Sequence, residues 1–181
     1  MTTENYTNQN HSKKTKTLCW LISILSLTAA LVIDQLTKHL AVVYLKGESA
    51  KVLIDGVFEL SYLENRGAAF GMMQNMQHFF VAGAAVIFLL LIFLYGRMPF
   101  TRKYIPLRVC AVLLGAGAVG NMIDRIRLNY VVDFFYFSLI DFPVFNVADC
   151  YVVVACIMFA LLILFYYKGD DDFRFLHGKR G

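Results

Sequence analysis

Charge is what this sequence has least of. Only 17% of its 181 residues are Asp, Glu, Lys or Arg, while 59% are apolar, against roughly 25% charged in ordinary soluble domains. A water-soluble domain of this length needs a polar surface that so few charges do not supply, so a soluble globular fold is excluded. Paired cysteines are missing too. Cys19, Cys110, Cys150 and Cys156 all lie in or beside apolar stretches and form no C-x-x-C pair, which excludes a disulfide framework and offers no metal site. The four histidines are scattered, and both residue types are read as packing or surface positions. The first apolar run follows Lys13, Lys14 and Lys16 but has no A-x-A cleavage site after it. It is therefore expected to be a retained helix rather than a cleaved signal peptide. No internal repeat of the solenoid kind is present.

What the chain has instead is long apolar runs. Residues 18–33 and, after a polar break, 39–45 form the first; 79–95, 104–120 and 150–167 form the others. The second and fourth carry no charge, and the third has only Arg108 near its start. Runs approaching ~20 residues are long enough to cross a ~30 Å hydrocarbon core, and they lack the polar face of a surface helix. The expected fold is an all-α integral membrane protein with four transmembrane helices, over about 18–45, 79–95, 104–124 and 146–167. A small β-sheet and an interfacial helix or loop complete it. Residues 1–17 are expected to be a disordered tail, 18–167 the membrane domain, and 168–181 a second tail.

Orientation follows from the flanking charges. The N-terminal tail has three lysines, the 96–108 loop has Arg97, Arg102, Lys103 and Arg108 without an acid, and the C-terminal tail has Lys168, Arg174, Lys179 and Arg180. The two remaining loops mix both signs. The positive-inside bias places both termini in the cytoplasm and those two loops, with any site they carry, on the extracytoplasmic face. The net charge of +4 suits cytoplasmic flanks facing anionic lipid headgroups and requires no nucleic acid. Within the first outer loop, alternating apolar residues over 51–63 are interrupted at Asp55-Gly56, a hairpin signal. The aromatic stretch 134–145, with Pro143, fits an interfacial loop or short helix.

Gly115-Ala-Gly117-Ala-Val-Gly120 matches the G-x-G-x-x-G dinucleotide fingerprint, but the alternating α/β context that the fingerprint requires is missing. Small residues at this spacing in a membrane helix allow neighbouring helices to approach closely. The informative residues are polar groups where polarity is expensive. Asp34 and Lys38 share a helix face at i, i+4, either as a structural ion pair or as part of a site. Asn121-Met-Ile-Asp124 and Asn146-Val-Ala-Asp149 repeat an Asn-x-x-Asp pattern, and Asp133 lies between them among apolar residues. In the plain structural alternative, Asp149 is a helix cap and Asp124 a partner for Arg125. Carboxylates converging on one interface suggest instead acid–base chemistry, because two close carboxyls cannot both ionise cheaply. One then takes a proton from water while the other polarises a carbonyl, as in aspartic proteases. Spacing alone leaves the pair open, and symmetry favours Asp124 with Asp149.

Five short motifs occur in order: Asp34-Gln-Leu-Thr-Lys38, Asn65-Arg-Gly67-Ala-Ala-Phe70, Gly120-Asn121-Met-Ile-Asp124-Arg125, Val132-Asp133-Phe134 and Phe145-Asn146-Val-Ala-Asp149. Together they resemble the motif set of bacterial lipoprotein signal peptidase (signal peptidase II). The resemblance implies an aspartic endopeptidase that removes the signal peptide of prolipoproteins before a diacylglyceryl-modified cysteine. It assigns catalysis to Asp133 and Asp149, overruling the symmetry argument. Asn65, Gly67, Asn121, Arg125 and Asn146 would support the site. Asp124 becomes a structural partner, and Asp34 with Lys38 serves stability or the site's edge. Cys150 departs from the Ser or Thr usual after the last aspartate, a change the dyad should tolerate.

The resemblance implies no metal or organic cofactor, so a chelator should leave activity intact. The expected partners are diacylglyceryl-modified prolipoproteins and membrane lipids, not nucleic acid, and the chain is taken as a monomer. A small ion- or proton-coupled transporter is the competing class, since buried charges also mark ion paths. A non-catalytic scaffold is the third.

Overall fold

The computed structural model describes residues 3–67, 76–169 and 172–176; within the second motif, residues 68–70 lie outside them. Four helices dominate: α1 (Thr3–Leu45), α2 (Gln77–Arg97), α3 (Ile105–Leu128) and α4 (Val147–Leu161), the last continuing as one π-helical turn over Leu162–Tyr166. Each carries a stretch long and apolar enough to cross a membrane. The side chains α1, α2 and α4 present outward, such as Leu25, Val86, Leu89 and Leu164, are large, apolar and well exposed. Only hydrocarbon accommodates such a surface. The chain is a multi-pass membrane protein.

α1 is continuous. Its backbone is helical from Thr3, through the segment expected to be a tail, and it does not break at Asp34. A charged pair can sit within an unbroken helix when its neighbours supply partners, as they do here.

α3 packs against the other three helices and is both the most buried and the least apolar of the four spans. Its small residues explain the central position. A Cβ on Gly115 would lie 3.3 Å from the Phe88 ring of α2. One on Gly117 would lie 2.5 Å from the Ala148 carbonyl of α4, and one on Gly120 2.6 Å from Asp34 Oδ2 of α1. The fingerprint-like glycines are thus three contact points inside one helix, as expected for close packing.

β1 (Lys51–Ile54), β2 (Phe58–Asn65) and β3 (Val131–Tyr136) form an antiparallel sheet in the order β1-β2-β3. The β1–β2 hairpin turns at Asp55-Gly56, where Gly56 takes φ +65° and the Val57 N–H donates to the Ile54 carbonyl at 3.0 Å. β3 corrects part of the expectation for the aromatic stretch. Residues 134–136 are strand, and only 138–140 form a short 3-10 turn. The physical reason is that Val131-Val132 and the aromatics after Asp133 favour a pleated surface, and β2 otherwise presents an unpaired edge. Val132 and Phe134 pack on Ala41 and Leu45, so the sheet sits at the end of the bundle where α1 and α3 finish and α4 begins.

At the opposite end Met98, Tyr104, Leu107 and Tyr167 form a second core. Arg108, counted among the flanking charges, is buried there. Its guanidinium donates to the carbonyls of Met98 and Tyr95 and lies 3.9 Å from the Phe100 ring centroid. It closes the C-terminus of α2.

Candidate active site

Asp149 owes its position to the start of α4. Asn146 is the N-cap in extended conformation; its Oδ1 accepts from the Asp149 N–H at 3.0 Å, and Asp149 Oδ2 accepts from the Asn146 N–H at 3.1 Å. The cap anticipated for Asp149 is therefore present as a reciprocal capping box. It uses one carboxylate oxygen, and Oδ1 accepts from Asn121 Nδ2 of α3 at 2.8 Å.

Asp133 comes from the sheet. In the β2–β3 register Leu63 stands opposite Asp133 and Asn65 opposite Val131, so Asn65 and Asp133 are diagonal neighbours on one face. Asn65 Nδ2 donates to Asp133 Oδ2 at 3.0 Å, and Asn146 Nδ2 donates to Oδ1 at 2.6 Å. Asn146 thus touches both carboxyl groups. Asp133 is 1% exposed. Burial first, and then the charge of Asp149, push its pKa up to about 7, against the opposing pull of the Asn65 and Asn146 bonds and of Lys38. A carboxyl poised there holds or releases a proton near neutral pH.

Behind this pair lies a buried polar cluster. Lys38 Nζ stands 3.0 Å from Asp34 Oδ2, 3.0 Å from Asp124 Oδ2 and 2.8 Å from Asn121 Oδ1. Asp124 therefore pairs with Lys38 rather than with Arg125, and it also accepts from Gln35 Nε2 and the Val132 N–H. Asp34 Oδ1 accepts from the Ala148 N–H, tying α1 to the first turn of α4. Arg125 donates to the carbonyls of Gly67 and Asn121, with its guanidinium 4.8 Å from the Phe80 ring centroid.

A cavity of about 950 Å³ opens over the pair. One corner is polar, with Asn65, Asn121, Arg125, Asp133 and Asp149; the rest is mostly apolar, from Phe137 and Phe142 to Val153 and Val154. Asp34, Lys38 and Asp124 do not line it. Val153 and Val154 are also more than half exposed on the outside of α4, so the cavity opens sideways toward lipid. Gln35 and Gln77 are two polar contributors that the sequence reading missed. Gln35 sat inside the first motif, and Gln77 was a polar residue at the mouth of an apolar span.

The fold and this cluster define a polytopic helical membrane protein in which the carboxyls of Asp133 and Asp149 share one polar corner of a cavity at one end of the bundle. A family model described as Signal peptidase (SPase) II matches residues 26–165, and the chain belongs to that family. Relatives named lipoprotein signal peptidase include one from Caldanaerobacter subterraneus subsp. tengcongensis, 46% identical over 134 residues, 74% of this chain and 89% of the relative. Those from Symbiobacterium thermophilum, 44% identical over 82% of this chain and 99% of the relative, and Clostridioides difficile, 38% over 81% and 97%, are similar. Two solved structures of a bacterial membrane enzyme, obtained by the in meso method at 2.3 and 1.9 Å resolution, superpose with TM-scores of 0.70 and 0.68. Each is 29% identical, and they cover 79% and 80% of this chain and 87% and 94% of their own. The chain is thus a membrane peptidase of the signal peptidase II family, whose reaction is signal-peptide removal from prolipoproteins.

Proposed function

We propose that the chain is an aspartic endopeptidase that cuts prolipoproteins before a diacylglyceryl-modified cysteine, with Asp133 and Asp149 as the dyad. The observation that carries this is the placement of both carboxyls in one cavity corner, bridged by Asn146, with the ionisation of Asp133 displaced to about 7. Asp133 holds the shared proton. Asp149, whose Oδ2 accepts the Asn146 N–H at the start of α4 and whose Oδ1 accepts from the Asn121 amide, is the carboxylate.

Water attacks the scissile carbonyl carbon as Asp149 takes its proton, and Asp133 gives its own proton to the carbonyl oxygen. The gem-diol collapses when Asp149 returns a proton to the leaving nitrogen; the C–N bond breaks and Asp133 recovers a proton from a diol hydroxyl. Asn65, Asn121 and Asn146 hold the two carboxyls in register, and Arg125 and Gly67 shape the floor where the chain would lie. The substrate's diacylglyceryl group enters through the lateral opening beside Val153 and Val154 and fixes the scissile bond at the depth of the dyad, which converts binding energy into rate.

Both termini lie in the cytoplasm in this reading, the sheet end faces outward, and the protein acts as a monomer. A transporter needs polar groups through the middle of the bundle. Among the described residues, the buried charged side chains are Asp34, Lys38, Asp124 and Asp133 at the sheet end and Arg108 and Asp172 at the other. The decisive experiment compares purified wild type, Asp133→Asn and Asp149→Asn on lipidated and unlipidated prolipoprotein. Normal protein levels with uncut substrate are expected for both variants, and wild-type cleavage restricted to the lipidated form. Retained cutting by either variant ends the dyad assignment.

A further inference from the structure

Asn65 can serve Asp133 only if its amide faces the right way, with the NH2 group and not the carbonyl toward the carboxyl. The peptide group between Arg66 and Gly67 determines this. Its N–H donates to Asn65 Oδ1 at 3.0 Å, which leaves Nδ2 for Asp133. The carbonyl of the same peptide group, the Arg66 oxygen, accepts from Gln77 Nε2 at 2.6 Å. In a planar trans peptide the C=O and N–H point in opposite directions, so a donor bound to one side fixes where the other points.

We infer that Gln77, the first residue of α2, is a positioning residue for the dyad, clamping the Arg66–Gly67 peptide so that it holds the Asn65 amide with its donor toward Asp133. Gln77 is only 8% exposed, and its Oε1 is buried with no hydrogen-bond partner among the described residues. The bond to Arg66 therefore carries the side chain's polar contact. Arg125 completes the clamp by donating to the Gly67 carbonyl at 3.2 Å, so two helices grip consecutive peptide groups at the end of β2. Asp133 faces Asn65 from β2, Asp149 and Asn146 from the start of α4, and the charges of Lys38 on α1 and Arg125 on α3. Of these, Asn65 is the group whose orientation Gln77 sets.

The inference rests on the Asp133–Asp149 reading and separates from it by experiment. Full-length Gln77→Leu, Gln77→Glu, Asn65→Ala, the Gln77→Leu/Asn65→Ala double variant and Asp149→Asn are assayed in lipid bicelles on a diacylglyceryl-modified prolipoprotein. Gln77→Leu should lower kcat about tenfold, the scale of supporting-residue effects, with KM nearly unchanged. Because the Asn65 bond favours ionised Asp133, its loss should also move the alkaline limb of the pH–rate profile to higher pH. In the Asn65→Ala background Gln77→Leu should cost less than about twofold more, since the two act through one contact. Should Gln77→Leu fail to fold, Gln77→Glu keeps the shape but donates only when protonated. Its activity relative to wild type should then rise as pH falls. Wild-type kcat and limb in Gln77→Leu, or multiplicative losses in the double variant, would overturn the clamp while leaving the dyad intact. An active Asp149→Asn would overturn both.

Discussion

Replacing Lys38 by methionine probes the buried cluster on which the site rests. The ammonium has three protons and three partners, Asp34 Oδ2 and Asp124 Oδ2 at 3.0 Å and Asn121 Oδ1 at 2.8 Å. Lys38 is 3% exposed, Asp34 0% and Asp124 3%, so solvent cannot replace the lost cation. Methionine fills similar space without charge, which isolates the electrostatic loss from a cavity. Removing one member of a buried ion pair costs about 3–5 kcal/mol, because the other charge stays behind unpaired. Gln35, the Val132 N–H and the Ala148 N–H still donate to the two carboxylates. The lower end of that range, about 3 kcal/mol, is therefore expected. The assay is SDS-induced unfolding of purified protein in mixed micelles, read by circular dichroism. A variant within about 1 kcal/mol of wild type, the scale of an exposed pair, would refute the reasoning. Adding Asp124→Asn should recover part of the loss by removing one stranded charge. No recovery would mean that the damage is not electrostatic.

Three further outcomes follow from geometry and ionisation. Gly117→Ala places a Cβ 2.5 Å from the Ala148 carbonyl, a backbone atom, and should cost about 1–3 kcal/mol by overpacking, seen as a lower Tm. Gly83→Ala meets nothing within 4 Å and should leave Tm unchanged or raised. The raised pKa of Asp133, about 7, means that the folded state prefers its neutral form. Its contribution is fully present below the ordinary carboxylate range and is lost as pH rises from there through about 7. Asp133→Asn, permanently neutral, should therefore gain stability over wild type between pH 5 and pH 8 in parallel thermal melts; a constant difference would contradict the burial effect.

Much of the fold was legible because a membrane imposes a one-dimensional rule. Every span must be long and apolar, so four helices could be counted from composition and run length. The hairpin at Asp55-Gly56 was legible from turn chemistry, and the packing role of Gly115, Gly117 and Gly120 from the missing α/β context. Less legible was β3, because Val131–Tyr136 contains the Val-Asp-Phe motif and an aromatic run that also suits an interfacial loop. Arg108 shows the limit of counting charges. In sequence it is one more flanking arginine; in the fold it is buried against Phe100 and three backbone carbonyls.

The sequence by itself determined the four spans, their small-residue contacts and the list of polar groups from which any site had to be built, because each is a property of composition or local spacing. Which of those groups meet was decided only in three dimensions. Asp124 and Asp133 are nine residues apart, and both lie near Asp149 in symmetry or in motif. The packing of α1 hands Asp124 to Lys38, while the register of β2 on β3 sends Asp133 into the cavity beside Asp149. Long-range pairing, set by helix packing and strand register, has no signature in local spacing, and it separates an aspartate held in a buried ion pair from one that faces the cavity.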